Sequence, residues 1–466
     1  MFQRIKHVHF VGIGGSGMSG IAEVLMTLGY RVTGSDVKKT PVTDALVAAG
    51  AEVFFSHGSE NVRGAHVVVR SSAVSLDNPE ILEAEVRKIP VISRAEMLAE
   101  LARLKYTIAV AGTHGKTTTT SMIATILDRA GLDPTFVVGG RLNTVGSNAR
   151  LGRGEFIVLE ADESDRSFLM LSPTIAVVTN VEADHLDNYR DLDDIQDAFV
   201  SFVNKVPFYG AVILPSDCPA VQAISDEIKR RVITFGLSRG ADVTVSDCVF
   251  ERLSSRFVIR YNGGQLQECK LRVPGMHNVL NATAAFAAAM EMGVEPRTIA
   301  SALEGFGGVE RRFEIKLTEP VTVIDDYAHH PTEVRAVLAA ARSAGFERIL
   351  VGFQPHRYSR TYHLFDDFTR AFEGADAVLV TEIYSAGELP IEGVSSQALV
   401  DRMKALGSME VLYAPDLDSI ENYVRDNARP GDAVLILGAG NITSLADRLA
   451  EPELLRVSHD SQAHAR

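Results

Sequence analysis

The run Ala109-Val110-Ala111-Gly112-Thr113-His114-Gly115-Lys116-Thr117-Thr118 leaves this chain few folds to choose from. Residues 106–111 are apolar and read as a strand. A glycine-bearing turn follows, and then helical spacing through Met122, Ile123, Ile126 and Leu127. Strand, glycine turn, Lys-Thr and helix is the layout of a phosphate-binding loop. Loop N–H groups and the helix N-terminus point at phosphate oxygens. Lys116 neutralises terminal phosphate charge, and the Thr117 hydroxyl is suited to Mg²⁺. One position departs from the common spacing: the glycine usual five residues before Gly115 is Val110. A bare Gly-Lys-Thr is often chance; the flanking strand and helix make this one a nucleotide site.

The 466 residues predict about two to four domains with sizeable cores. A hydrophobic share of 46% with 23% charged residues is that of a soluble globular chain. The net charge of -14, without a basic tract, argues against nucleic acid as a partner; anionic ligands need local Lys and Arg. Cys218, Cys248 and Cys269 are too sparse for a disulfide framework or a zinc site and fit a reducing, cytoplasmic setting. The N-terminus lacks a signal-peptide pattern, and no apolar run is long enough to span a bilayer, so no membrane partner is expected.

The first domain is expected over residues 1–105. Residues 7–13 read as a strand. Gly12-Ile13-Gly14-Gly15-Ser16-Gly17 matches G-x-G-x-x-G, an amphipathic stretch covers 18–28, and a second strand leads into Ser35-Asp36. This opens a Rossmann-type unit. The glycine pattern alone is weak; with strand, helix and Asp36 it reads as a nucleotide or nucleotide-diphosphate site. The plainer reading is a tight turn with Asp36 capping a helix. Strands are also expected at 67–70, before Ser71-Ser72-Ala73, and at 90–93.

The central domain, 106–319, starts with the phosphate loop. Strands at 156–160 and 174–179 run into Ala161-Asp162-Glu163-Ser164-Asp165 and Asn180-Val181-Glu182-Ala183-Asp184-His185. Carboxylate-rich strand ends beside a phosphate loop are what Mg²⁺ requires. Glu163 is the choice within the first cluster; His185 taken singly reads as a loop or cap histidine. Residues 242–273 shift to period two, with a turn at Asn262-Gly263-Gly264, an antiparallel β region. Asn278 and Asn281 lie a turn apart on an alanine-rich helix, 278–290. By themselves they read as a cap and an ordinary polar position. Arg311 and Arg312 have guanidiniums suited to phosphate, although each singly reads as a surface arginine.

From 320 to 466 strands and helices alternate again, with strands expected at 321–326, 348–353, 377–383, 411–414 and 433–437. The polar chemistry gathers after strands, in Asp325-Asp326-Tyr327-Ala328-His329-His330-Pro331 and Gln354-Pro355-His356-Arg357-Tyr358-Ser359-Arg360-Thr361. The fold class is therefore α/β: an N-terminal Rossmann-like domain, a central P-loop ATPase-like domain with an antiparallel β region, and a C-terminal Rossmann-like domain.

These segments, together with His277 to Asn281 and Arg311-Arg312-Phe313, occur in an order that resembles the Mur ligase family over the whole chain. The phosphate loop of that family has the form Gly-Thr-x-Gly-Lys-Thr, which accommodates Val110. The resemblance implies an ATP-dependent ligase that joins L-alanine to the carboxylate of UDP-N-acetylmuramate through an acyl phosphate. It implies UDP contacts at Gly14, Gly15, Ser16, Asp36, Ser71 and Ser72. ATP would sit on Gly112, Thr113, His114, Gly115, Lys116, Thr117 and Thr118, completed by Asn278, Asn281, Arg311 and Asp326. Thr117 and Glu163 would hold one Mg²⁺, and Glu163 and His185 a second. Tyr327, His329, Arg357 and Arg360 would receive L-alanine, with His329 accepting the amine proton. A monomer or weak homodimer is expected. The nearest alternative is a related ligase adding another amino acid or a recycled peptide. An NAD-dependent oxidoreductase or a silent nucleotide-binding scaffold would leave Lys116, Glu163 and His185 without a task.

Overall fold

The computed structural model describes residues 5–71, 73–140, 148–186, 188–407 and 409–451. Its first sheet has five parallel strands: β1 (His7–Val11), β2 (Arg31–Ser35), β3 (Glu52–Phe54), β4 (Val67–Arg70) and β5 (Val91–Ser93). Their order is β3-β2-β1-β4-β5, so the winding reverses beside β1. A crevice opens at such a reversal, beyond the carboxyl ends of the strands. All of β1 is buried, as a strand covered on both faces must be.

A buried polar network holds the end of β2. Glu80 is fully buried and accepts from Ser35 Oγ and Asn61 Nδ2, each at 2.5 Å. His57 Nδ1 lies 3.3 Å and His9 Nε2 3.7 Å from the same carboxylate oxygen. Burial pushes the Glu80 carboxyl up, but the nearby His9 ring and the hydrogen bonds from Ser35 and Asn61 outweigh it and hold the group at about 2.

The second sheet has ten strands: β6 (Tyr106–Ala111), β7 (Thr135–Val137), β8 (Ala149–Arg150), β9 (Phe156–Glu160), β10 (Ile175–Val178), β11 (Ala211–Pro215), β12 (Val232–Gly236), β13 (Val243–Glu251), β14 (Ser254–Tyr261) and β15 (Gln265–Leu271). The order is β15-β14-β13-β12-β11-β10-β6-β9-β7-β8. The central β6 pairs in parallel with β10 on one side and β9 on the other. Their carboxyl ends therefore emerge on one edge, and the three loops that follow meet there. The expected antiparallel region is present but not separate: β13 begins by pairing in parallel with β12, at Phe235↔Val243 and Gly236↔Thr244. The expected turn has positive φ at Asn262, Gly263 and Gly264. Strands β7 and β8, three and two residues long, lie below the length at which alternation is legible in sequence.

The third sheet comprises β16 (Glu314–Leu317), β17 (Thr322–Asp326), β18 (Ile349–Phe353), β19 (Ala377–Val380), β20 (Glu410–Tyr413) and β21 (Ala433–Leu437). They run in the order β16-β17-β21-β18-β19-β20, parallel except for β16. The three-domain α/β organisation expected from the alternation is thus the one observed. By packing, the chain divides into two compact units: Met1–Thr244 with Arg260–Gln267 and Asn281–Leu303, and Val245–Ile259 with Glu268–Leu280 and Glu304–Arg466.

The Glu80 network generates a stability prediction. A carboxyl whose folded pKa is depressed stabilises the fold above its unfolded pKa, and that contribution is lost as pH falls through the folded value. For Glu80 the window runs from 4.5 down to about 2, equivalent to about 3 kcal/mol. Glu80→Gln should lower Tm clearly at pH 7. Its deficit against the parent chain should shrink as thermal melts are taken from pH 5 towards pH 2.

Candidate active site

The phosphate loop is shaped by two glycines. Gly112 has φ +136°, and a Cβ there would lie 2.1 Å from Thr179 Oγ1. Gly115 has φ +81°, and a Cβ there would lie 2.5 Å from Asn281 Oδ1. Both the left-handed backbone and the close approach demand glycine. The residues after β10 brace the loop from outside: His114 N donates to Asn180 Oδ1 (2.9 Å), and Glu182 N donates to Thr113 Oγ1 (2.9 Å). Helix Lys116–Arg129 starts at once, and its first turn presents the N–H groups that a helix cannot satisfy internally.

Lys116 curls back across the loop. Its Nζ donates to Gly112 O at 2.7 Å and to Glu163 Oε1 at 2.8 Å. His185, after β10, places Nε2 3.7 Å from the same Glu163 oxygen and 3.5 Å from Asp184 Oδ2. Lys116, Glu163 and His185 therefore meet, although they follow three different strands. Glu163 is buried, and its Oε2 has no hydrogen-bond partner among the described residues. Burial pushes the Glu163 carboxyl up to about 7 against the pull of Lys116. Burial pulls the Lys116 ammonium down, but Glu163, Glu160 and Asp162 outweigh it and raise it above the usual lysine range.

Sequence reasoning missed one carboxylate. Thr117 Oγ1 donates to Glu160 Oε2 at 2.9 Å, and Gly139 N donates to the same oxygen at 2.8 Å. Glu160 is the last residue of β9 and reads locally as a strand residue; only its pairing with β6 sets it opposite Thr117. Asn281 stands beside Gly115 in this unit. Asn278, in the other, is the third residue of helix Met276–Glu291 and donates from Nδ2 to Pro274 O at 2.8 Å.

At the first sheet, Gly12 N and Ile13 N donate to Ser35 O (2.8 and 3.0 Å), and Gly14 N donates to Asp36 Oδ2 (2.9 Å). Asp36 thus fastens the glycine loop to the end of β2. Gly12 has φ +84°, and Ser71 packs against it. Gly14, Gly15, Asp36 and Ser71 share this end of the sheet; helix Ser16–Thr27 begins at Ser16, and Ser72 lies outside the described residues.

The second unit assembles its own polar cluster. Arg311 and Arg312 lie over the Tyr327 ring, at 4.9 and 5.1 Å from its centroid. Tyr327 meets the edge of His329, His329 the edge of His356, and His356 stacks on Tyr384 at 5.5 Å. Arg360 Nη1 is 3.4 Å from His356 Nδ1, and Arg357 Nη1 is 3.9 Å from Glu388 Oε1. Asp326 is committed to the backbone: Phe313 N and Ala328 N donate to its two oxygens, at 2.7 and 2.8 Å. His329 Nδ1 lies 2.9 Å from the Tyr327 carbonyl, which only accepts. Nδ1 therefore carries the hydrogen, and Nε2 keeps the lone pair. Burial lowers the His329 pKa, keeping the ring neutral at pH 7.

Three contiguous domain families cover this geometry. Residues 7–106 match the catalytic domain of the Mur ligase family, 110–289 the Mur ligase middle domain, and 311–440 the glutamate ligase domain of Mur ligases. The chain belongs to the Mur ligase family. Among Mur ligases it is 54% identical over 452 residues to the UDP-N-acetylmuramate–L-alanine ligase of Geotalea uraniireducens, covering 97% of this chain and 99% of that one. It is 55% identical to the corresponding ligase of Solibacter usitatus, covering 97% and 96%. The crystal structure of the UDP-N-acetylmuramate–alanine ligase of Thermotoga maritima superposes with a TM-score of 0.81 at 34% identity, covering 96% and 98%. A murein peptide ligase from Psychrobacter arcticus gives 0.71 at 26% identity, covering 97% and 99%.

Gly115 supplies a test of the loop. In Gly115→Ala the added methyl must enter a left-handed backbone and displace Asn281. The substitution should abolish the thermal shift produced by ATP, while circular dichroism shows the fold retained.

Proposed function

We propose that this Mur ligase joins L-alanine to UDP-N-acetylmuramate at the expense of ATP, giving UDP-N-acetylmuramoyl-L-alanine, ADP and phosphate. The observation that carries the chemistry is the meeting of Lys116, Glu163 and His185 at the ends of three adjoining strands. The choice of alanine rests on the full-length relatives named above. The murein peptide ligase reading is weaker, at lower identity and TM-score.

In this reading domains 1–105, 106–319 and 320–466 take the UDP substrate, ATP and the amino acid in turn. Gly14, Gly15, Ser16, Asp36, Ser71 and Ser72 serve the UDP portion. Asn278, Asn281, Arg311 and Asp326 complete the ATP site. The donor set suits Mg²⁺: a hydroxyl and carboxylate in contact, and a buried carboxylate oxygen without a donor. Thr117, with Glu160 or Glu163, would hold one ion, and Glu163 with His185 a second. Bound there, Mg²⁺ would offset the negative charge of the phosphoryl groups. A cytoplasmic monomer or weak homodimer belongs to the same reading.

The chemistry follows from the poor electrophilicity of a carboxylate. Its oxygen attacks the γ-phosphorus, the bond to ADP breaks, and an acyl phosphate forms. Lys116 leaves Glu163 for the transferring phosphoryl group. Arg357 and Arg360 hold the alanine carboxylate and so orient its amine. The amine attacks the acyl carbon, the carbon–oxygen bond to phosphate breaks, and the amine proton passes to His329 Nε2. Closure over the acyl phosphate keeps water out.

The deciding assay is phosphate release from ATP. It should require UDP-N-acetylmuramate and L-alanine together; release with either alone, or with a peptide in preference to alanine, rejects the reading. The His329 role has its own test. Its lowered pKa leaves the ring available as a base throughout the neutral range and removes it only on acidification below the usual histidine value. His329→Ala should reduce kcat by roughly 10²–10⁴-fold and abolish the acidic limb of the rate–pH profile. An unchanged profile removes the role.

A further inference from the structure

The third glycine of the G-x-G-x-x-G run has an unexpected reason to be glycine. Gly17 lies in the first turn of helix Ser16–Thr27 and needs no left-handed backbone. The space its side chain would fill is occupied by Arg94. A Cβ at Gly17 would lie 2.5 Å from Arg94 Nη1, 3.0 Å from Cδ and 3.2 Å from Cζ. Arg94 opens helix Arg94–Ala102, directly after β5. Its side chain thus packs against the start of the helix that follows the glycine loop. Its other nitrogen, Nη2, is 3.4 Å from Asp162 Oδ2.

Asp162 belongs to the run after β9 and precedes Glu163, the partner of Lys116. Its Oδ1 accepts from Ser164 N at 3.1 Å and Ser164 Oγ at 2.6 Å, which leaves Oδ2 facing Arg94. The contact is long for a charge-assisted hydrogen bond and about a third of each side chain is exposed, so it is weak and exchangeable. A fork-shaped cation is therefore poised between an aspartate of the ATP-site loop and the N-terminal turn of a helix built to receive phosphate.

We infer that Arg94 is the side-chain cation for the diphosphate of the UDP substrate, and that Asp162 holds it until that diphosphate arrives. The inference rests on the reading of the first domain as the UDP site. It adds a link between the two nucleotide sites: when the diphosphate takes the guanidinium, Asp162, next to Glu163, loses one of its two cationic neighbours and keeps Lys116.

The test uses the full-length chain and two probes, UDP and uridine, in calorimetric titrations at low salt. The parent chain should bind UDP well above uridine. If it does not, the UDP reading itself fails and the inference with it. If it does, Arg94→Ala should weaken UDP roughly 10- to 100-fold and leave uridine unchanged, and Arg94→Lys should recover part of the loss. Gly17→Ala, which pushes the guanidinium aside without removing it, should reproduce the selective loss. Asp162→Asn should tighten UDP several-fold, because the competing carboxylate is gone. An undiminished preference for UDP in Arg94→Ala, or equal losses for both probes, overturns the assignment. Unchanged or weaker UDP binding in Asp162→Asn overturns the holding role.

Discussion

A lysine ammonium buried among carboxylates is the condition that the central sheet has to sustain. Desolvation works against both members of the Lys116–Glu163 pair, drawing the proton from the lysine and towards the glutamate. What opposes it is geometry: a 2.8 Å contact, a second bond to Gly112 O, and further negative charge at Glu160 and Asp162. A pair of this kind adds little net stability, because desolvation cancels much of the attraction. Its contribution is to keep charges fixed where phosphate arrives, so that little reorganisation is needed during reaction.

The same constraint explains the surrounding architecture. Three carboxyl strand ends must emerge side by side, and the parallel order β10-β6-β9 achieves this. The loops must then approach within bonding distance, which the left-handed glycines 112 and 115 permit. The residues after β10 act as an outer brace, with Asn180 and Thr179 bonded to the His114 backbone. The first sheet repeats the pattern in a cheaper form. The Asp36 carboxylate and the Ser35 carbonyl accept from N–H groups of the glycine loop, and the Glu80 network anchors Ser35 in turn.

In the second unit the organising device is a chain of rings and guanidiniums around Tyr327, His329 and His356. Here the useful property is a tautomer. The Tyr327 carbonyl holds the hydrogen of His329 on Nδ1, and burial keeps the ring neutral, so Nε2 is presented as a base. Asp326 is fixed by the backbone of its own loops, with Phe313 N and Ala328 N donating one to each carboxylate oxygen.

Local order in the chain was enough for the phosphate loop, the glycine loop, the alternation of strands and helices, and the clustering of polar residues at strand ends. Those features depend on neighbours a few residues apart, and residue types report them directly. Residue order could not reveal that Glu160 faces Thr117, that Arg94 occupies the space over Gly17 and meets Asp162, or which nitrogen of His329 carries the hydrogen. Thr117 and Glu160 are 43 residues apart, and Arg94 and Asp162 are 68 apart. Their contacts depend on which strand pairs with which and in what register, and that is settled by the packing of whole sheets.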